Sequence, residues 1–112
     1  MAFTRTLTKN VTSALTLVHT GSAGGDVVIG LRITNTTASA IKASACVTNG
    51  GVDYYLVGGA TVATMGADIP VGGSLVVING DADKVNLISG DTLRVISSAA
   101  TSADCIVSVL AN

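Results

Sequence analysis

The chain contains no tryptophan, no glutamate and no glutamine in 112 residues, a single proline, two cysteines and only three aromatic side chains, Phe3, Tyr54 and Tyr55. Each shortage excludes something. Without the straight-chain polar residues that cover the wet side of a helix, a helical bundle would have no proper surface. Two cysteines and one histidine fall short of a four-ligand zinc site. So few aromatics leave little on which to stack sugar rings or bases. The net charge is −1, and Arg5, Lys9, Arg32, Lys42, Lys84 and Arg94 are scattered, so no basic patch marks a nucleic-acid partner. No stretch approaches the ~20 apolar residues of a membrane helix, and no membrane partner is expected. The opening "MAFTRTLTKNVTSALTLVH" lacks a basic head followed by a sustained apolar run. No secretory signal is read there, and synthesis in the cytoplasm is expected.

What is present is β-forming. Nearly half the residues are hydrophobic, drawn from Val, Ile, Leu and Ala and interleaved with Thr and Ser. The length suits one domain, 1–112. Alternation and glycine punctuation divide it into runs of strand length. "FTRTLTK" (3–9) sets Phe3, Arg5, Leu7 and Lys9 on one face and threonines on the other, as an edge strand. "SALTLVH" (13–19) follows. In "VVIGLRITN" (27–35), Val27, Ile29, Leu31 and Ile33 share one face, and Val28, Gly30, Arg32 and Thr34 the other. In "IKASACVT" (41–48), Ile41, Ala43, Ala45 and Val47 point inward, and Lys42, Ser44, Cys46 and Thr48 outward.

Asn49-Gly50-Gly51 then turns the chain into "VDYYLV" (52–57), a strong hairpin signal because the central positions need positive φ. With Asn49-Gly50 as the turn, Ala45 faces Tyr54; with Gly50-Gly51, Val47 faces Tyr54 and Cys46 faces Tyr55. Either of these two-residue turns makes Tyr54 a core aromatic and leaves Tyr55 on the polar face, open to contact, whereas a three-residue loop would reverse the two. Residues 58–73 read as a long glycine-rich loop with room for a short strand. "SLVVIN" (74–79), a turn-rich 80–91 with a brief extended piece, "TLRVISS" (92–98) and "DCIVSVL" (104–110) complete the chain. Eight or nine short strands and no substantial helix give an all-β antiparallel sandwich of jelly-roll or immunoglobulin-like type.

Catalytic and ligand-binding patterns are thin. His19, the single histidine, lies at a strand end and is expected to be exposed; no G-x-S-x-G elbow accompanies it. "NGDADKVN" (79–86) is rich in oxygen ligands but lacks the glycine and glutamate of an EF-hand loop, so Asp81 and Asp83 are expected to cap a turn. The glycine pairs at 24–25, 50–51, 58–59 and 72–73 mark turns rather than a phosphate cradle, which would need a following helix. The sequons at Asn10 and Asn35 are expected to be chance in a Thr-rich chain. No catalytic, metal or cofactor residues are assigned, and an enzyme is the least supported class. Alternation places Cys46 on the polar face and Cys105 with Val107 and Val109 on the apolar one. That disfavours an intrachain disulfide and implies two free thiols. Cys46, exposed beside Tyr55, would be able to bond another chain. Tyr55, Cys46 and Phe3 are the candidate protein contacts.

The segments "VVIGLRITNTTASAIKASACVTNGGVDYYLV", "IPVGGSLVVINGDADKVNLISGDTLRV" and "SSAATSADCIVSVL" resemble small virion proteins of tailed bacteriophages. Such proteins pair a "TNGGxDYYLV" hairpin with strand openings of the form "IPxGGSLVV" and "SGDxLxV". The likeness runs from about Val27 to Leu110. The two cysteines and the longer "GGATVATMGAD" before Ile69 depart from the pattern. The resemblance implies a β-sandwich on the outside of a virion. A capsid decoration (cement) protein is the leading expectation, with the major capsid protein or other virion proteins as partners and a homo-oligomer as its form. A neck, collar or tail/fibre component, including a host-attachment module, is the alternative. A mean hydropathy of +0.63 with only 12% charged residues fits a surface not all meant for water.

Overall fold

The computed structural model describes residues 2–66, 68–80 and 83–111. Among the described residues ten strands form: β1 (Ala2–Val11), β2 (Thr16–Thr20), β3 (Asp26–Asn35), β4 (Ile41–Asn49), β5 (Val52–Val57), β6 (Asp68–Ile69), β7 (Ser74–Asn79), β8 (Val85–Leu87), β9 (Thr92–Ser97) and β10 (Ala103–Ala111). A 3-10 turn, Val62–Thr64, lies in the long loop. Among the described residues no helix is long and apolar enough to cross a membrane.

The strands make two antiparallel sheets. The first runs β1-β10-β3-β7, with β8 also on β3; the second runs β2-β9-β4-β5, with β6 also on β4. Eight principal strands pass back and forth between the sheets, and only β4 and β5 are joined within one. That is the jelly-roll order of two Greek keys. An immunoglobulin-like sandwich would instead group the first, second, fourth and fifth strands in one sheet.

The core between the sheets is aliphatic throughout. Leu31, Ile33, Val107 and Val109 of the first sheet and Leu93, Val95, Ala43 and Ala45 of the second belong to one buried cluster, together with Val11, Val18, Ile69, Ile78 and Leu87. Cys105 lies in this core beside Val107 and Val109, as its alternation indicates. None of the three aromatics joins it.

Two irregularities decide which side chains reach the core. On β3, Ser108 pairs with Gly30 and Val109 with Val28, so Ile29 is an extra residue, a β-bulge. Strict alternation would bury Val27 and Ile29. The bulge reverses the faces: Asp26 and Val28 point inward before it, Leu31 and Ile33 after it, and Ile29 is pushed toward the outside. It also lets one strand serve two partners, β8 along Asp26–Val28 and β7 along Gly30–Thr34. The second irregularity is the excursion from 58 to 66 between β5 and β6. It returns to β4 through Gly66 N donating to Ala43 O (3.1 Å) and covers Ser44, whose Oγ accepts from Gly59 N (3.2 Å).

The hairpin turn is Gly50-Gly51, with φ of 59° and 80°, as a type I′ turn requires. Its register sets Val47 opposite Tyr54 and Cys46 opposite Tyr55. Tyr54 thus has the inward parity, yet it is 59% exposed. β5 is an edge strand and its partner Val47 is itself only half-buried, so the core has ended before it reaches the ring. The expectation of a core Tyr54 is corrected; Tyr55 is the more covered of the two.

Candidate functional site

The outer face of the first sheet is the unusual surface of this protein. On β1 the half-buried side belongs to Thr6 and Thr8, whose ladder partners Val107 and Cys105 are core residues. Phe3, Arg5, Leu7 and Lys9 are left to point outward. A strand laid on an aliphatic core would ordinarily bury Leu and expose Thr. Here the register of the inner strand β10 overrides that preference. Phe3 is 78% exposed, Leu7 61%, Val76 46% and Ile106 43%.

The ladders align these side chains in rows. Phe3, Leu110 and Val27 form one; Leu7, Ile106, Arg32 and Val76 form another. Between them run Arg5, Ser108 and Gly30, all small beyond the arginine. At one end the face turns polar, where Lys9 Nζ donates to Asp104 Oδ2 at 2.9 Å. The Lys9 ammonium, with the Asn10 backbone N–H, holds the Asp104 carboxyl below its ordinary value.

Phe3 is therefore within an extended apolar patch. The other two sequence candidates are elsewhere, on the outer side of the second sheet. Cys46 is fully buried rather than exposed, flanked in the ladder by Tyr55 and Arg94. Burial, then Asp53, pushes its thiol up, against opposing effects of Thr48 and Arg94. The Tyr55 hydroxyl is buried too, and its titration is raised first by burial, then by Cys46 and Asp53. Both cysteines are free. The structure brings Cys46 and Tyr55 together and sets Phe3 apart from them.

His19 is also not the exposed strand-end residue expected. Its side chain is 15% exposed, with Nε2 2.8 Å from Asp26 Oδ2 and Nδ1 3.3 Å from the Thr6 hydroxyl. Ser22 Oγ donates to Asp26 Oδ1 at 2.7 Å, and Ser22 N to Oδ2 at 3.2 Å. The Ser22 hydroxyl first, and His19 second, hold the Asp26 carboxyl below its ordinary value. Hydroxyl, imidazole and carboxylate in series resemble a catalytic relay; of the three, Asp26 borders a depression that it shares with Gly25, Leu87 and Leu110. The series ties β1, β2 and β3 together at the end of the sandwich.

Asn35 is buried, its amide donating to Ser39 O, Ile69 O and Pro70 O, so it is no glycan acceptor. Asp83 N donates to Gly80 O in a turn, while Asp81 lies outside the described residues. Among the described residues no group of three or more His, Cys or Asp side chains is placed to hold a metal ion.

The apolar rows are partly legible in the sequence: alternation sets Phe3 and Leu7 on one face of their strand and Ile106 opposite Cys105, Val107 and Val109, but the ladder that aligns them is not. Comparisons with family models, with curated proteins and with solved structures give no match for this chain.

Proposed function

We propose that this chain is a structural protein of a tailed-bacteriophage virion, acting as a capsid decoration (cement) protein that binds the head lattice in many copies. The motifs from Val27 to Leu110 suggest the setting, and one observation carries the reading: the bare apolar outer face of the first sheet.

Magnitudes favour a repeated contact over a single tight one. Four strands at about 4.8 Å spacing and some 20 Å of strand length give a flat face on the order of 400 Å². A standard stable interface needs roughly 800 Å² per partner. Covering Phe3, Leu7, Val76 and Ile106 gains on the order of 4–7 kcal/mol at their exposures. That is comparable to the cost of immobilising one molecule on another, at least ~4 kcal/mol. A lone copy would bind weakly, whereas copies that also touch one another add their contacts. The work is mechanical: bridging subunits so that they resist outward pressure.

Particles of the phage that encodes this chain, made with and without its gene and imaged by negative stain after heating or osmotic shock, test the reading. Loss of surface density and earlier rupture on deletion are expected. Unchanged particles of unchanged stability would refute it. A station at the neck, collar or tail uses the same face against a different protein. Exposed Tyr54 is the one feature that favours a host-attachment module, and clear glycan-array hits lost in Tyr54→Ala would establish that instead.

A further inference from the structure

The middle row of the apolar face is a dip. Ser108 and Gly30 form its floor, and a Cβ built on Gly30 would lie only 3.3 Å from that of Ser108, so the floor is closed. The depression holds about 300 Å³ and is bounded by Ile29, Ile106, Val76 and Arg32. A second depression continues it past Ile29 and Ser108 to Arg5 and Phe3. One furrow thus runs from Arg5 across Ser108 to Gly30 between two mainly apolar rows, with Arg32 standing in one of them, long and shallow enough for a partner's side chains rather than for an enclosed small molecule.

The charges of the furrow point to its occupant. Neither the Arg5 nor the Arg32 guanidinium has an ion pair or hydrogen bond among the described residues, whereas Lys9 beside them is paired with Asp104. The face therefore carries two unbalanced positive charges on a chain whose net charge is −1. A second copy laid on the same face would bring four unpaired guanidiniums together, which like-charge repulsion disfavours. Two cations are also few for holding an anionic bilayer.

We infer that the furrow is the anchor of the docking face proposed above, and that it receives a protein segment with an apolar side chain between carboxylates. The apolar group fills the dip over Gly30 and Ser108, and the carboxylates take the Arg5 and Arg32 guanidiniums, for which planar, paired hydrogen bonds are the favoured geometry. This rests on the virion reading and adds the partner's chemistry to it.

The probe is heads purified from particles assembled without this chain, sedimented with the purified full-length protein. Wild type and Lys42→Glu, a charge reversal on the second sheet, should co-sediment equally. The double variant Arg5→Glu, Arg32→Glu should bind at least about tenfold more weakly. Ser108→Tyr, which fills the dip, should do the same. Circular dichroism and thermal unfolding check the fold of each variant, and the arginine variant changes only exposed side chains. Equal binding by all four proteins would overturn the anchor and leave the virion role standing; failure of wild type to bind would overturn both. Wild-type binding to phosphatidylserine vesicles that disappears with the two arginines would overturn the protein partner in favour of a lipid surface.

Discussion

Leu7 and Ile106 are partners across the β1–β10 ladder, and both stand on the solvent side of a sheet whose inner side packs on the core. Their neighbours in sequence, Thr6 and Thr8 on one strand and Cys105 and Val107 on the other, take the inward positions. A pair of large aliphatic side chains facing water contributes little to folding, so its presence is better explained by contact with something else.

Replacing Leu7 by Ser together with Ile106 by Thr should leave unfolding by urea within about 1 kcal/mol of wild type. Leu31→Ala, in the core, should cost about 2–5 kcal/mol. Comparable losses in the two variants would mean that the outer pair serves the fold.

Gly58 has a φ of 72°, and a Cβ there would lie 2.2 Å from Ser44 Oγ and 2.5 Å from Gly66 N. Gly72 has nearly the same φ, 73°, with nothing within 4 Å. Both alanine substitutions bear the left-handed backbone cost of about 1–2 kcal/mol. Gly58→Ala should lose more than Gly72→Ala, because the 58–66 excursion must also move off β4. Equal midpoints in urea would show that the excursion is not held against Ser44.

The Asp26 carboxyl titrates below its ordinary value of 3.8, owing to the Ser22 hydroxyl and then His19. A depressed folded-state value stabilises the fold above the unfolded value, and that stability is lost as pH falls through the folded one. Thermal midpoints of wild type should therefore drop below about pH 4. Asp26→Asn should be less stable at pH 7 and show a shallower acid loss. Parallel curves for the two proteins would remove the carboxylate from the account of acid sensitivity.

Burial pushes the Cys105 thiol up to about 12, and the Cys46 thiol upward too. Neither offers a thiolate or an exposed sulfur for exchange. Native protein should react with a disulfide reagent only on the timescale of unfolding, and denatured protein should release two thiols per chain. Rapid modification of Cys46, or a disulfide-linked dimer on a non-reducing gel, would show that the cover formed around Tyr55 and Arg94 opens.

The sandwich itself was readable because alternation, the Gly50-Gly51 turn and the scarcity of helix formers all point the same way. Side-chain burial was less so, and for separate reasons. Alternation assigns parity, not depth. Tyr54 has the inward parity but sits where an edge strand overhangs the end of the core. Cys46 and Ser44 have the outward parity but are covered, Ser44 by a loop that returns over it. At Ile29 parity itself changes, because nothing in "VVIGLRITN" announces which residue the β10 ladder will skip. His19 is covered because its partners come from β1 and β3, a tertiary meeting that spacing does not encode. Of the three contact candidates, only Phe3 belongs to the open apolar face.

A density map of the assembled virion at side-chain resolution tests the central claim most directly. The expected map shows many copies of this jelly roll with Phe3, Leu7, Val76 and Ile106 covered by a neighbouring protein. Copies whose β1-β10-β3-β7 face is turned to solvent, or particles in which the chain is absent, would contradict it.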